Sequence, residues 1–147
     1  MKLELDKQLG FNLYRASLLF RRELIRCLRE YKITPEQWQA LVHIWDKGTT
    51  TQSEIANITL QDAPSISRMI GRLIKNGWIK KKINPNDKRE IYLSITPIGK
   101  KLESILPKKL RENFNLFLKK FPELDQKELL KLLIQLRVSL NDFESKK

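Results

Sequence analysis

The sequence has few of the residues that most often carry catalysis, metal binding or disulfides. Its 147 residues include one cysteine, Cys27, and one histidine, His43. A single cysteine cannot form an internal disulfide, so we expect a reducing, cytoplasmic location. No apolar run approaches the roughly 18 residues that a membrane-spanning helix needs. Acids within residues 1–6 are atypical of a signal peptide, and we expect none.

The same scarcity argues against an enzyme. His43 has no acid or thiol partners at the spacing of a metal site, so we expect no metal and no cofactor. The sequence contains no glycine-rich phosphate loop and no nucleophile elbow. An enzyme such as a small hydrolase using Cys27 with His43 is the weakest alternative. Cys27 lies among the leucines of the first predicted helix and is expected to be a small buried hydrophobe. A redox-active thiol is the alternative.

Positive charge is abundant and concentrated. The net charge is +12, and the segment from Arg68 to Arg89 holds eight cations against one acid. Basic chains bind polyanions such as nucleic acids, anionic membranes or acidic proteins. The alternative is an ordinary solvated face. The first interpretation is favoured because the excess coincides with the helix-and-ribbon pattern of the same segment.

Residues 51–99 form a continuous pattern of two helices followed by a two-stranded ribbon. The stretch Thr51-Gln52-Ser53-Glu54 is a capping box that opens a short third helix, and Asp62 is the expected N-cap of a fourth. Gly77 can end the fourth helix in the left-handed conformation. A basic strand, a polar tip and a strand at residues 91–95 follow. The pattern predicts a mainly α protein with a small β-ribbon, arranged as a winged helix-turn-helix.

Helices are also expected on both sides of this unit. A first helix spans about residues 5–31, and a second begins after the cap at Thr34. A fifth helix begins after Thr96, and Pro107 should bend or break it. A sixth helix is expected to be capped by Asp125. The inward face of the second helix is expected to be formed by Trp38, Leu41, Val42 and Trp45.

The outer helices carry more leucine and phenylalanine than one such unit needs to cover itself. We therefore predict one chain with a winged-helix lobe at residues 34–96 and a helical dimerisation region at residues 1–33 and 97–147. The alternative is a monomer whose extra helices wrap the lobe. The sixth helix continues its apolar side to Phe143. The predicted dimerisation residues are Leu5, Leu9, Leu129, Leu133, Leu136 and Leu140.

The wing resembles that of the MarR family of bacterial transcription regulators. The family pattern Asp-x-Arg followed by Leu-x-Leu-Thr-x-x-Gly stands here as Asp87-Lys88-Arg89 and Leu93-Ser94-Ile95-Thr96-Pro97-Ile98-Gly99. Ile95 replaces a leucine conservatively. The stretch Ser65-Ile66-Ser67-Arg68-Met69-Ile70-Gly71-Arg72-Leu73 and its exit at residues 75–79 are similar too, with Trp78 where leucine is usual. The order of elements matches over nearly the whole chain.

The resemblance implies a dimeric transcription regulator, more specifically a repressor. It would bind a pseudo-palindromic operator in double-stranded DNA. The fourth helix would enter the major groove, Arg89 would reach the minor groove, and Asp87 would brace the wing by pairing with a nearby cation. The family also implies a small aromatic or phenolic effector between the dimer helices and the DNA-binding lobe. The helices that would line this site carry Tyr14, Arg15, Trp38 and His43.

The residue types of the lobe suit contacts with DNA. Ser65 and Ser67 can reach base edges or phosphates without holding the helix away from the groove. Arg68 and Arg72 lie four residues apart and share a face. Ser65 could instead serve only as a cap, and Arg72 could instead pair with an acid. Further phosphate or wing contacts are expected from Thr51, Gln52, Ser53 and Lys88.

Two choices stay open at this level. Because side chains alternate along a strand, either Lys81 alone or Lys80 together with Lys82 faces DNA. The second choice concerns the partner, because a basic architectural or RNA-binding protein without sequence preference would share much of this pattern.

A redox-sensing branch of the family carries a reactive cysteine where Gly10 stands here. This departure argues against that mode of sensing.

Overall fold

The computed structural model describes residues 3–142. Within this range the chain forms helices at both ends and a small sheet in its middle. The helices and strands are α1 Leu9–Leu28, α2 Pro35–Lys47, β1 Thr49–Thr51, α3 Gln52–Thr59, α4 Ala63–Lys75, β2 Ile79–Ile83, β3 Ile91–Ile95, α5 Pro97–Phe117 and α6 Glu123–Ser139. Short 3-10 turns at Leu5–Lys7 and Arg29–Tyr31 flank α1. The predicted fold class is confirmed.

Side-chain caps fix the starts of four helices where the sequence predicted them. Thr34 opens α2, and its side chain accepts the backbone N–H of Gln37 at 3.2 Å while the side chain of Gln37 accepts the N–H of Thr34 at 2.9 Å. The pair of Thr51 and Glu54 forms the same reciprocal box at the start of α3. Asp62 and Thr96 cap α4 and α5. Each cap satisfies N–H groups that a helix start otherwise leaves unpaired.

The sheet has three antiparallel strands in the order β1-β3-β2, one strand more than the predicted ribbon. β1 is only three residues long, so it shows no alternation that sequence reading could detect. Thr50 of β1 pairs with Leu93 of β3, and both are buried. β1 therefore ties the end of α2 to the base of the wing.

The core lies where the lobe meets the end of α1 and the middle of α5. Leu28 of α1 and the pair Leu106 and Leu110 of α5 are fully buried with the lobe. All four residues predicted for the apolar side of α4 are buried: Ile66, Met69, Ile70 and Leu73. The three phenylalanines Phe20, Phe114 and Phe117 form a ring cluster with centroid distances of 5.1–5.7 Å. This cluster joins α1 to α5.

One part of the predicted inward face of α2 is wrong. Val42 is 40% exposed, and the buried row of this helix consists of Gln37, Ala40, Leu41 and Ile44. Residues spaced by three and four share a helical face, and Val42 lies about 100° from Leu41 around the axis. Trp38 and Trp45 border the row, half-buried, in an edge-to-face contact with ring centroids 5.7 Å apart.

The two C-terminal helices also differ from expectation. α5 is not broken at Pro107 and continues to Phe117. α6 begins at Glu123, ahead of the predicted cap at Asp125, and no side chain caps it. The side-chain amide of Gln126 instead donates to the carbonyl of Phe121 at 2.8 Å. Glu123 and Asp125 then lie in the first turn, where the helix dipole favours negative charge.

The terminal helices leave their apolar side chains uncovered. α6 has no buried residue, and α1 buries only Leu24 and Leu28. Of the predicted dimerisation residues, Leu5, Leu9, Leu129 and Leu140 are exposed, and Leu133 and Leu136 are half-buried. Phe143 lies outside the described residues. None of the helices within residues 3–142 combines the length and apolar character that a membrane span requires.

Candidate nucleic-acid interface

The start of α4 is organised by a network around Asp62. Its Oδ1 accepts the backbone N–H of Ser65 at 2.8 Å, and its Oδ2 accepts the hydroxyl of Ser65 at 2.9 Å. These two bonds, the backbone bond first, lower the pKa of Asp62 below its ordinary value. Arg68 in turn donates to Oγ of Ser65 at 3.4 Å. Ser65 therefore serves as part of the cap in the free protein, and its contact with DNA stays a prediction.

The outer face of α4 presents cations that form no ion pair within residues 3–142. Ser67 and Arg72 are exposed, and neither forms a side-chain hydrogen bond or an ion pair with any residue in the range 3–142. The alternative that Arg72 pairs with an acid of this chain is wrong for that range. Arg68 is exposed on the same face and makes only the long contact with Ser65. The helix thus keeps its guanidinium groups available for an external acceptor.

The start of α3, a helix that packs against α4, is the next candidate contact for DNA. Oγ1 of Thr51 accepts the N–H of Glu54 at 3.2 Å, so its hydroxyl is engaged in the cap. Ser53 is exposed and Gln52 is half-buried in the first helical turn. Backbone N–H groups in a first turn and the positive end of the helix dipole together attract phosphate. The phosphate contacts predicted for Thr51, Gln52 and Ser53 stay predictions that this geometry supports.

Hydrogen bonds within the wing tip hold it in one shape. The backbone N–H of Asn84 donates to the carbonyl of Glu90 at 3.0 Å, and the side-chain amide of Asn84 donates to Oε2 of Glu90 at 2.9 Å. Asp87 accepts the backbone N–H of Arg89 at 3.0 Å. The ion pair expected for Asp87 is absent from the part of the chain that is described. Asp87 fixes the turn through the backbone instead, because an Asp side chain readily accepts an N–H two residues on.

The positions of the tip cations follow from this turn. Lys88 and Arg89 are exposed, and neither forms an ion pair within residues 3–142. The acid that precedes them is held by a backbone N–H rather than by their side chains. The tip therefore projects two cations whose charge no neighbouring carboxylate of the described chain neutralises at contact distance.

The strand register decides which lysines of the ribbon face outward together. Lys81 pairs with the buried Leu93, whereas Lys80 pairs with Ser94 and Lys82 with Tyr92. Directly opposite residues in an antiparallel pair lie on the same face of the sheet. Lys80 and Lys82 therefore share the face turned away from the core. The sequence could not choose between the two arrangements because it does not reveal which face the core covers.

Comparison with known proteins identifies the family of this architecture. Residues 33–91 match the profile of the MarR family. The HTH-type transcriptional regulator YdcH of Bacillus subtilis is 33% identical over 103 residues, which cover 67% of this chain and 70% of the relative. The chain belongs to the MarR family.

Solved structures agree with the MarR-family assignment over the length of the chain. A probable transcriptional regulator from Pseudomonas aeruginosa superimposes with a TM-score of 0.81 at 29% identity, covering 90% of this chain and 99% of that one. A mutant MarR from Escherichia coli complexed with operator DNA gives a TM-score of 0.79 at 24% identity, with 87% and 92% covered. At that lower identity the likeness concerns the fold.

The residues expected to bind a MarR-family effector are only partly brought together. Trp38 and His43 line an open cleft of about 1000 Å³ between α2 and α3. Tyr14 and Arg15 are exposed on α1 and do not line this cleft. The other residues that line it are Gln39, Val42, Asp46, Lys47, Thr49, Glu54, Asn57 and Ile58.

A hydrogen-bonded chain at this cleft was not anticipated from the sequence. Nε2 of His43 lies 3.0 Å from Oγ1 of Thr50, whose hydroxyl donates to Oε2 of Glu54 at 2.5 Å. Because a hydroxyl has one hydrogen, Nε2 of His43 is the donor to Thr50 when the Thr50 hydroxyl donates to Glu54. The bond from Thr50 is the largest cause that lowers the pKa of Glu54. The capping-box pattern predicted the role of Glu54 at the start of α3. The hydrogen bond from Thr50 to Glu54 was not predicted, because it depends on the formation of β1.

The remaining singled-out residue is Cys27. It is half-buried on α1 and packs against the core cluster, in keeping with the expected small hydrophobe. Within residues 3–142 no group of three or more histidine, cysteine or acidic side chains could hold a metal ion.

Proposed function

We propose that this chain is a dimeric, sequence-specific DNA-binding regulator of transcription, and that it acts as a repressor. The observation that carries the proposal is the outer face of α4 with the wing beside it. This surface exposes Arg68, Arg72, Lys88 and Arg89 without ion pairs among the described residues. A helix of this size fits the major groove, and cations on flanking elements fit the phosphate backbone.

Each element takes a defined part in this proposal. α4 enters the major groove, where Ser65, Ser67, Arg68 and Arg72 meet base edges and nearby phosphates. The start of α3, with Thr51, Gln52 and Ser53, contacts the backbone. Arg89 and Lys88 at the wing tip follow the adjacent minor groove, and Asp87 keeps the tip in shape. A carboxylate that accepts a backbone N–H leaves the neighbouring cations free for DNA.

The division of labour along the chain is part of the proposal. Residues 34–96 form the DNA-binding lobe, and residues 1–33 and 97–147 form the dimerisation region. A second copy would cover the exposed leucines of α1 and α6, and the symmetry of a dimer matches an operator of two half-sites. The proposal assigns no catalytic role to any residue and places the protein in the cytoplasm.

A small aromatic or phenolic effector would modulate DNA binding from the cleft between α2 and α3. Trp38 offers an aromatic wall and His43 a polar group, and the cleft reaches Glu54, which caps the helix whose start contacts phosphate. A ligand there would change DNA affinity only by favouring one arrangement of the two recognition helices over another. The participation of Tyr14 and Arg15 stays a prediction.

Competition binding at one fixed salt concentration tests the function. The protein is first allowed to select duplexes from a random-sequence library, and the selected duplex is then competed against a scrambled version of itself. A regulator should prefer the selected duplex by roughly 10³-fold or more. Equal affinity for both would replace the proposal with a basic architectural protein, and stacking on single strands would point to RNA.

A further inference from the structure

Gly71 lies in the middle of α4, and nothing within the described chain accounts for a glycine there. Glycine weakens a helix interior because it has more backbone freedom to lose on folding. The two usual reasons to keep one are a positive φ and a crowded neighbour. The glycines with positive φ are Gly48 and Gly77, not Gly71. A Cβ added at Gly71 would meet no atom within 4 Å, whereas one at Gly99 would stand 2.2 Å from the carbonyl oxygen of Trp78.

The position of Gly71 on the helix gives a reason outside the chain. The buried row of α4 runs through Ile66, Met69, Ile70 and Leu73. At about 100° per residue, Gly71 lies near the middle of the opposite face. Ser67 lies on one side of Gly71, and the exposed cations Arg68, Arg72 and Lys75 lie on the other. The outward face is therefore bare at Gly71, and long cations border this gap on one side.

We propose that Gly71 sets how deeply α4 enters the major groove. A base edge would occupy the space that a Cβ would otherwise take, and the two arginines would reach past it. The fit is tight on general grounds, since the groove is about 12 Å wide and a helix with its side chains measures about 10–12 Å. The inference rests on the proposed function and names Gly71 as a positioning residue of that interface.

This role predicts opposite changes in stability and in DNA affinity. Gly71→Ala should raise the melting temperature by roughly 2–4 °C, because alanine favours the helix and the added methyl meets open space. The same variant should bind the selected duplex about tenfold more weakly, the lower range for a lost base contact. Gly71→Leu should weaken binding further. The dependence of affinity on salt should be unchanged for both, because no phosphate contact is removed.

Two controls separate this role from simpler ones. Gly10→Ala adds a methyl to a helical glycine that also has open space around it within one chain. Because Gly10 lies in the proposed dimerisation region, it is compared at concentrations where sedimentation shows both proteins dimeric, and there its affinity should equal that of the wild type. Arg72→Ala should weaken binding as well, but with a salt slope reduced by about one if Arg72 contacts a phosphate.

Three outcomes would overturn the inference: an unchanged affinity for Gly71→Ala, a lowered melting temperature, or a loss that alters the salt slope. Failure of the proposed function appears separately, because the wild-type protein and Gly10→Ala would then show no preference for any duplex over its scrambled competitor. If the wild type and Gly71→Ala both prefer the selected duplex over its scrambled competitor to the same extent, only the role of Gly71 is contradicted.

Discussion

The lobe and the terminal helices are both rich in leucine and isoleucine, yet they differ in what covers those side chains. In the lobe, α2, α3 and α4 each bury apolar residues completely within one chain. α6 buries none, although it contains six leucines and Leu140 follows its last turn. Composition therefore does not decide burial. The apolar side chains of the lobe are covered by the same chain. Those of the terminal helices lack such cover, which a second copy would supply.

The connection between the two regions is also informative. Arg21 of α1 donates through its two terminal guanidinium nitrogens to the carboxylate of Glu36 at the start of α2, at 2.6 and 3.3 Å. Lys109 of α5 pairs with Glu30 beside the end of α1. Together with the phenylalanine cluster, these contacts seat the lobe on the stalk of α1 and α5. A change in how two stalks meet would therefore be transmitted to the spacing of the two lobes.

The largest expected effect comes from placing charged residues on the uncovered apolar face of α6. The double change Leu129→Asp with Leu140→Asp should raise the dissociation constant of the dimer by more than about 10³-fold, near 4 kcal/mol, because an interface would have to bury unpaired carboxylates. Sedimentation velocity measures this directly. Ile83→Asp is the control, since Ile83 on the wing is 62% exposed, close to the 68% of Leu140. Equal dimerisation in all three proteins would contradict the account.

The converse test is a cavity in the lobe. Leu41 of α2 is completely buried, and Leu41→Ala should lower the free energy of unfolding by about 3 kcal/mol. Leu124→Ala removes the same atoms from a side chain that is 79% exposed in one chain. Measured at concentrations where the protein is monomeric, it should change the free energy of unfolding by less than about 0.5 kcal/mol. Urea denaturation compares the two. Similar losses would mean that the lobe and α6 are packed alike.

A substitution at Arg89 tests whether the charged lobe binds DNA. Arg89→Ala should weaken binding of the selected duplex by about 1 kcal/mol and reduce the slope of log affinity against log salt by about one, because one phosphate contact is lost. Fluorescence anisotropy over a series of salt concentrations gives both values. Lys120→Ala removes an exposed cation near α6 and should change neither. If Arg89→Ala showed the wild-type slope of log affinity against log salt, the wing tip would not be part of the DNA interface.

The smallest expected effect concerns the cap of α3 and its pH dependence. The hydrogen bond from Thr50 holds the folded pKa of Glu54 below its ordinary value of 4.5. The stabilisation is therefore complete above that ordinary value and is lost as the pH falls through the folded pKa. Glu54→Gln should cost about 0.5 kcal/mol at neutral pH, a modest figure because the carboxylate is half exposed and partly screened by water.

The measurement for Glu54 is the difference in urea stability between wild type and variant as a function of pH. That difference should shrink towards zero in acid, while Glu112→Gln, at an exposed acid without an ion pair among the described residues, should show no such trend. A difference that stays constant down to acid pH would show that the charge of Glu54 contributes nothing to the cap.

Local signals account for what the sequence predicted well. The caps at Thr34, Thr51, Asp62 and Thr96 depend on residues three positions apart, and the apolar row of α4 repeats at helical spacing, so both are visible without a structure. The wing turn is equally local. The outer helices and their surplus of apolar side chains were also readable from periodicity, which indicated a second copy. The family resemblance added the groove assignments and the effector.

The failures share a dependence on distant parts of the chain or on competing local signals. β1 exists because Thr50 pairs with Leu93, and three residues carry no pattern of their own. The choice between Lys81 and the pair Lys80 and Lys82 needed the sheet's buried face. α6 was expected to begin at a cap on Asp125, but it begins directly after Pro122, where the side chain of Gln126 reaches back to the carbonyl of Phe121. Gly71 stood in a recognised stretch, yet only the open space around it marks the residue as distinctive.

The central claim is that two copies hold their α4 helices at a separation that fits successive turns of one duplex. Hydroxyl-radical footprinting of the selected duplex, on a complex whose mass is measured by sedimentation, tests it most directly. The account predicts two protomers per duplex and two symmetric protected segments about one helical turn apart, roughly 34 Å between centres. Protection of one unsymmetric segment by a single protomer, or uniform protection without boundaries, would contradict it.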